Sequence, residues 1–454
     1  MLKRKGLAVV AIALTFIGAP ALKADTLADA LTAAYNNSGL LDQNRALLRA
    51  ADEGVAQSVA ATLPVINWSI SATRRRVEVP VATTTDSVLA QISGDVTLFD
   101  FGVGRLGIEA QKEVVLGTRQ SLRGVEQNVL LRAVQAYMNV LSSNEFVQLR
   151  QNNVRLITQE FRAAQDRFDV GEVTRTDVAL AEARLAAARS LLAAAQGDLT
   201  QSIEEYRSAI GRDPAGVGGV SPAPVSRTLD DAKAFAVRNH PSVLEAQHSV
   251  TAAEINIRRA ESATRPSVSL NGSVGADEDS NTSAQIGLSI GGPIYRGGQI
   301  LSQFRQVQAN RDAARAGLHL NILAIEQEVG NAFASLQVAR ASRQASEQQI
   351  SAARVAFEGV REEATLGSRT TLDVLNAEQE LLDALANRIA AQSNEVIASY
   401  ALLSAMGLLT ADHLNLPVQQ YDPSAYYNLV KDAPSALSSQ GAALDRVLQA
   451  IGKE

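Results

Sequence analysis

The stretch "VTLFDFGVGRLG", residues 96–107, holds Gly102, Gly104 and Gly107 in the spacing G-x-G-x-x-G. Where that spacing joins a strand to a short helix, backbone N–H groups cradle a pyrophosphate, and an acidic residue about 20 positions on, at the end of a second strand, holds a ribose. The second strand is missing here. From Val103 to Phe168 there is no proline, and Val154, Ile157, Phe161, Ala164 and Phe168 recur at spacings of three and four, the mark of one long helix. The corresponding "PIYRGGQ" in the second half of the chain keeps two glycines and loses the spacing. The three glycines therefore read as flexible backbone where a strand becomes a helix, not as a dinucleotide site. His240, His248, His319 and His413 form no H-x-x-x-H pair, there is no G-x-S-x-G, and no acid pair stands out from ordinary charged helix faces. Cysteine is absent, which removes disulfides, thiolate metal sites and a lipidated N-terminal cysteine. The inventory points away from an enzyme and calls for no metal or cofactor.

The elements that position the remaining chemistry begin after residue 24. "MLKRKGLAVVAIALTFIGAPALKA" places Lys3, Arg4 and Lys5 before an apolar run from Leu7 to Ile17 and small residues at Ala19, Ala21 and Ala24. This reads as a secretory signal over residues 1–24, cut after Ala21 or Ala24. Nothing later approaches the ~18 unbroken apolar residues of a spanning helix, so any membrane crossing falls to strands. Without Lys3, Arg4, Lys5 and Lys23, 38 basic face 48 acidic side chains, a formal charge of about −10, and nucleic acid is an improbable partner. Aromatic residues make up 4 % while alanine is abundant, a balance suited to long, closely packed helices.

One unit is written twice. "TLADALTAAYNN" at 26 answers "TLDDAKAFAVRN" at 228, and "ATLPV" at 61 answers "ATRPS" at 263, both 202 residues apart. "VGEVTRTDV" at 170 answers "LGSRTTLDV" at 366, and Gly211 answers Gly407, at an offset of 196. The shortfall of six falls in a variable loop, where "RRRVEVPVATTTD" faces "ADEDSNT". The expected organisation is a first repeat over 26–211, a linker over 212–227, a second repeat over 228–410 and a tail over 411–454 whose weak patterning after about 421 predicts poor order.

Within each unit a helix ends near Pro64 or Pro266 and the period falls to two. Ile66, Trp68, Ile70 and Ala72 alternate with polar residues, as do Val88, Ala90, Ile92, Val96 and Leu98; "SVSLNGSV" and "AQIGLSIGG" are the counterparts. Alternation over about 9 to 11 residues suits a transmembrane barrel strand and equally an ordinary half-buried hairpin. The long run from 103 to 168 makes a rod of about 100 Å at ~1.5 Å per residue. The return helix, 174–209, carries a large seam (Val178, Leu185, Leu192, Leu199, Tyr206) beside a small one (Ala181, Ala188, Ala195, Ser202, Ala209). Adjacent seams give a helix a partner on each side, and that pattern repeated around a circle makes a wall. Four strands cannot close a barrel, and open edges in a bilayer lack hydrogen-bond partners, so a membrane reading demands an oligomer, most simply three chains sharing 12 strands. The alternative is a non-channel structural coiled coil of the periplasm.

"VGEVTRTDVALAEARL" and "LGSRTTLDVLNAEQELLDA", with "YDPSAYYNLV" after 420, resemble the TolC-type outer-membrane channels of multidrug efflux and type I secretion, over roughly 26–410. The resemblance implies a mainly α fold with a small β part: a long coiled-coil α-helical barrel plus a transmembrane β-barrel shared by a homotrimer, two structural repeats per chain. It implies an outer-membrane location reaching into the periplasm, contact with outer-membrane lipid, and a periplasmic adaptor and an inner-membrane transporter as partners. By the same resemblance Arg369 matches the arginine that latches a closed periplasmic entrance, Thr176 and Asp177 match its partners, and Asp373 matches a carboxylate lining the constriction. Asn376 stands where many members have a second aspartate and Ala364 where a latch tyrosine is common, implying weaker cation selection and a less secure closed state. A ring of carboxylates in a narrow tube favours cations; the plainer role for these residues is helix capping. Gly171, Glu172, Val173, Leu366 and Gly367 form the turns an adaptor would reach, and the glycines also end helices.

Overall fold

The computed structural model describes residues 25–451 apart from 79, 81, 226, 436 and 437, so the expected signal over 1–24 lies outside the described residues. The first repeat runs α1 (Leu27–Asn37), α2 (Gly39–Ala60), β1 (Val65–Val77), β2 (Thr83–Phe99), α3 (Val103–Asp169) and α4 (Arg175–Ile210). The second runs α5 (Leu229–Asn239), α6 (Pro241–Ser262), β3 (Ser267–Asp277), β4 (Thr282–Gly291), α7 (Gln299–Thr365) and α8 (Thr371–Ala405). The offset between repeats is 202 residues at the starts of β1 and β3 and 196 at the starts of α3 and α7, so the shortfall of six lies in the hairpins and the link that follows them.

Each 67-residue rod, α3 or α7, turns back into a return helix, giving two long antiparallel hairpins. On α3, α2 covers the strand-proximal half and α4 the distal half, with α1 between them. Asn37 Nδ2, at the end of α1, donates to Ile210 O at the end of α4 at 3.0 Å, which fixes the end-to-end stacking of two shorter helices against one long one.

The largest core lies where the stacked helices meet. Leu130, Tyr137, Tyr206, Leu402, Met406 and Leu409 are buried there, drawn from both repeats. Tyr137 Oη lies 2.8 Å from Asp25 O and accepts the Gly218 N–H at 2.9 Å, while Ser399 Oγ accepts the Ala223 N–H at 2.9 Å. The inter-repeat segment is thus tied into the core by buried hydrogen bonds, each worth about 1 kcal/mol net but costly to leave unmade.

The tail is more ordered than its weak patterning predicts. It forms α9 (Ala425–Val430), packed on α2, and α10 (Ser439–Ile451). Tyrosines do this: Tyr426 Oη donates to Glu53 Oε1 at 2.6 Å, and Tyr421 and Tyr427 lie under the guanidinium groups of Arg45 and Arg119. These contacts are made between distant parts of the chain, so no local period announces them.

The four strands form one antiparallel sheet in the order β1-β2-β3-β4, so two hairpins from different repeats join through β2 and β3. Register shifts at Leu98, which leaves a bulge between Thr97 and Phe99 where β2 approaches its helix. The G-x-G-x-x-G stretch is the corner that follows. Gly102 takes φ +88°, and an added Cβ at Gly104 would lie 2.7 Å from Thr62 Cγ2. Asp100 accepts the N–H of Gly102 at 2.9 Å and of Gly104 at 2.6 Å. A carboxylate of the chain itself occupies the donors that a phosphate would need.

Candidate membrane band and pore entrance

Pairing sorts the sheet's side chains into two chemically opposite faces. Ile66, Trp68, Ile70 and Ala72 stand opposite Gly94, Ile92, Ala90 and Val88; Ile92 and Val96 stand opposite Val274 and Leu270; Gly272, Leu270 and Val268 stand opposite Ile286, Leu288 and Ile290. The period of two puts all of these on one face, which is apolar across four strands. It is also uncovered: Trp68 is 77 % exposed, Ile286 80 % and Ile290 71 %. The other face carries Asn67, Ser69, Ser71, Thr73, Gln91, Ser93, Asp95, Asn271, Ser273, Gln285 and Ser289, with Val65, Val77 and Leu89 as apolar exceptions.

The apolar band has an end. Beyond Ala72, Arg74 continues the same face and pairs with Asp86, Nε to Oδ1 at 2.8 Å and Nη2 to Oδ2 at 2.9 Å, and Arg76 pairs with Glu78 at 3.2 Å. From Val88 to Val96 the apolar residues span about 27 Å along β2 at ~3.4 Å per residue, comparable with the ~25 Å lipid-facing band of an outer-membrane barrel. Leaving so much contiguous apolar surface to water is unfavourable by about 25 cal/mol per Å². The outer edges of β1 and β4 have no strand partner in this sheet.

Among the described residues no helix is long and apolar enough to cross a membrane. The sheet carries the uncovered apolar band, and a long helix follows each of its hairpins.

The opposite pole holds the two helical turns, built alike. Gly171 (φ +82°) and Gly367 (φ +79°) end α3 and α7, with Glu172 N donating to Arg167 O at 2.9 Å and Ser368 N to Glu363 O at 3.0 Å. This is a left-handed C-cap with a six-to-one bond, for which glycine is the usual residue. α4 and α8 then open with matching capping boxes. Thr174 Oγ1 accepts the Asp177 N–H at 3.3 Å while Asp177 Oδ2 accepts the Thr174 N–H at 2.9 Å; for Thr370 and Asp373 the distances are 3.2 and 3.0 Å. The Thr174 hydroxyl and then its N–H hold the Asp177 carboxyl below the usual carboxylate range; for Asp373 the Thr370 N–H leads and the hydroxyl follows.

The sequence-expected entrance residues are thus all at one pole, and Asp177, Arg369 and Asp373 are held by partners on their own turn or hairpin. Gly171, Glu172, Leu366 and Gly367 are exposed and Val173 is half-buried. Thr176 is exposed on the first turn of α4, and Asp177 and Asp373 cap their own helices. Arg369 does not bridge to Thr176 or Asp177 within the chain. Its Nε donates to Glu363 Oε2 at 2.8 Å, on its own hairpin, because the tight turn brings those two residues together. Asn376 does join the hairpins, its Oδ1 accepting from Arg184 Nη2 on α4 at 3.4 Å.

Sequence reasoning missed Glu378. It is 5 % exposed on α8 and accepts from Asn153 Nδ2 of α3 at 3.1 Å. The signal was available: Glu378 lies in the buried stripe of Val374, Leu375 and Leu382, where a charged residue is out of place.

Comparison with known proteins agrees with this geometry. The family model described as outer membrane efflux protein matches residues 30–212 and 235–408, one match per repeat. The outer membrane efflux protein BepC of Brucella suis is 36 % identical over 436 residues, 94 % of each chain. The outer membrane protein TolC of Escherichia coli is 26 % identical over 315 residues, 64 % of this chain and 63 % of its own. Among solved structures, the outer membrane protein VceC of Vibrio cholerae superposes with a TM-score of 0.73 at 19 % identity, covering 84 % of this chain and 96 % of its own, which bears on the fold.

Proposed function

The chain belongs to the outer membrane efflux protein family, and we propose that three copies form a passive exit duct through the outer membrane and periplasm. The observation that carries this reading is the sheet: one continuous exposed apolar face, one polar face and two unpaired edges, on the end of rods about 100 Å long. Three such sheets joined edge to edge close a barrel of 12 strands, with the apolar face to lipid and the polar face to the lumen. Closure satisfies the edge N–H and C=O groups that a bilayer would leave without partners. The paired rods continue the barrel wall into the periplasm.

The turns at the far pole form the entrance. Gly171, Glu172, Val173, Leu366 and Gly367 are the surface offered to a periplasmic adaptor, which links the duct to an inner-membrane transporter. Thr176, Asp177, Arg369, Asp373 and Asn376 line the constriction. Three Asp373 carboxylates around a narrow axis favour cations, and the lowered proton affinity of each keeps that ring charged throughout the neutral range. The duct selects little by itself, so the transporter and adaptor choose the cargo, whether a drug, a secreted protein or a polysaccharide.

The test is single-channel recording from purified protein in a planar bilayer. The expected result is a discrete, cation-preferring conductance whose preference weakens in Asp373→Ala. A conductance indifferent to that substitution moves the constriction elsewhere, and a protein that never inserts overturns the channel reading.

A further inference from the structure

Two glutamates buried on α8 are treated very differently. Glu395, 6 % exposed, faces Arg343 at 2.6 Å and Arg340 at 3.7 Å, both on α7. Its charge is answered within its own hairpin. Glu378, 5 % exposed, receives its hydrogen bond from the neutral amide of Asn153, itself 4 % exposed, on the other hairpin. The charged groups around Glu378 do not replace a partner. Glu160 of α3 repels it, Arg361 of α7 attracts it from an exposed position, and Arg184 of α4 is engaged with Asn376.

Burial pushes the Glu378 carboxyl up to about 7, and Glu160 adds to the rise; the Asn153 hydrogen bond and Arg361 oppose it. The seated form therefore holds a proton that the same residue would lose in water. A group whose proton affinity is raised on docking stabilises the docked state below its ordinary value of 4.5 and surrenders that stability as pH rises through about 7. Glu378 also stands five residues beyond Asp373 on one helix, about 7.5 Å along it. Displacement of α8 there moves the Asp373 ring.

We propose that Glu378 is a proton-operated latch between the two hairpins: neutral, it seats α8 on α3 beside Asn153 and keeps the entrance narrow; as a carboxylate, it drives α8 off α3 and the entrance widens. The latch rests on the channel reading above. Its pH response is separable from the Asp373 ring, since that carboxyl is held below the usual range and titrates in acid.

The chain has no cysteine, so Val170→Cys and Leu366→Cys give one spin label on each exposed turn, and pulsed electron-spin distances can be measured at pH 5.5 and 8.5. With Glu378 intact, the distance is expected to lengthen and broaden at high pH as the docked-to-released ratio changes by up to about thirtyfold. In Glu378→Gln, which keeps shape and hydrogen bonding without the charge, the short distance persists at both pH values. Glu160→Gln removes one cause of the raised proton affinity, so the pH response becomes smaller and is complete at lower pH. Wild type without a pH response, or Glu378→Gln with an unchanged one, overturns the latch. Bilayer conductance separates the two readings: conductance without a pH-dependent distance keeps the channel and loses the latch, whereas pH-dependent distances from inserted protein that never conducts keep the latch and lose the channel.

Discussion

The first repeat and the second build their helices to almost the same lengths: α1 and α5 have 11 residues, α2 and α6 22, α3 and α7 67, α4 and α8 36 and 35. Their hairpins do not match, with strands of 13 and 17 residues in the first and 11 and 10 in the second. Helix length is constrained because two stacked helices must cover one rod. A hairpin beyond the lipid band meets no such limit: Arg74–Asp86 stands where the second hairpin has its last pair, Ala276 and Thr282, and the first hairpin continues past it to the Arg76–Glu78 pair.

Burial divides the repeats differently from length. α8 is packed between α7 and α3 and buries Val374, Leu382, Ile389, Val396 and Leu403, whereas its counterpart α4 leaves Leu191 44 % exposed. α7 has the same length as α3 yet leaves Leu320, Val338 and Val355 exposed at 66, 66 and 70 %. α3 and α8 are interior, while α4 and α7 are flanks. Equal scaffolds have acquired unequal neighbours.

The largest test of this comparison asks whether the unequal hairpins serve one band. Ile92→Arg and Ile286→Arg are each expected to abolish outer-membrane insertion, since a lipid-facing arginine near the midplane costs about 2–4 kcal/mol per strand and appears in every copy. Ser93→Arg, one residue along on the polar face, is expected to insert normally. Membrane fractionation reads all three, and insertion of Ile286→Arg alone would mean that the second hairpin does not face lipid.

A smaller effect is expected at the flank. Val338→Asp should leave the protomer folded, with unchanged helical circular dichroism, and weaken assembly by about 1–3 kcal/mol, seen as smaller particles in detergent by light scattering. A fully assembled Val338→Asp protein would show that this flank faces solvent in the assembly.

The smallest effects are at the turns, where the repeats are alike. Thr174→Ala and Thr370→Ala should each cost about 1 kcal/mol locally and accelerate amide exchange in the first turn of α4 and α8 to the same degree. Because both capping carboxyls are held low, this protection is present above their ordinary value of 3.8 and is lost as pH falls through the lowered one. Protection factors at the caps, with the intrinsic pH dependence of exchange divided out, should therefore be flat through neutral pH, in contrast to the distance change expected from Glu378. Unequal loss in the two variants would show that one turn has a further partner.

Much of this could be read without the fold. The repeat offsets of 202 and 196, the uninterrupted helical run after Val103 and the alternation around Trp68 and Ile92 are local or periodic, and the backbone obeys them directly. The capping boxes were visible as Thr-x-x-Asp. The partner of Arg369 was not, because turn geometry rather than spacing delivered Glu363 to it. The docked tail escaped for a related reason: Tyr426 meets Glu53 across 373 residues of chain.

Local pattern was enough for the two-fold repeat, the rods and the strands, since each follows from a period of 3.6 or 2 and from where glycine and proline interrupt it. It took the packed chain to show which strands pair into one sheet, that its apolar residues share one uncovered face, and that Glu378 is shut against Asn153 while Glu395 keeps two arginines. Those outcomes depend on which surfaces meet. Burial and charge pairing are properties of contacts between distant segments, and a carboxylate acquires its chemistry from the side chains that the fold sets around it.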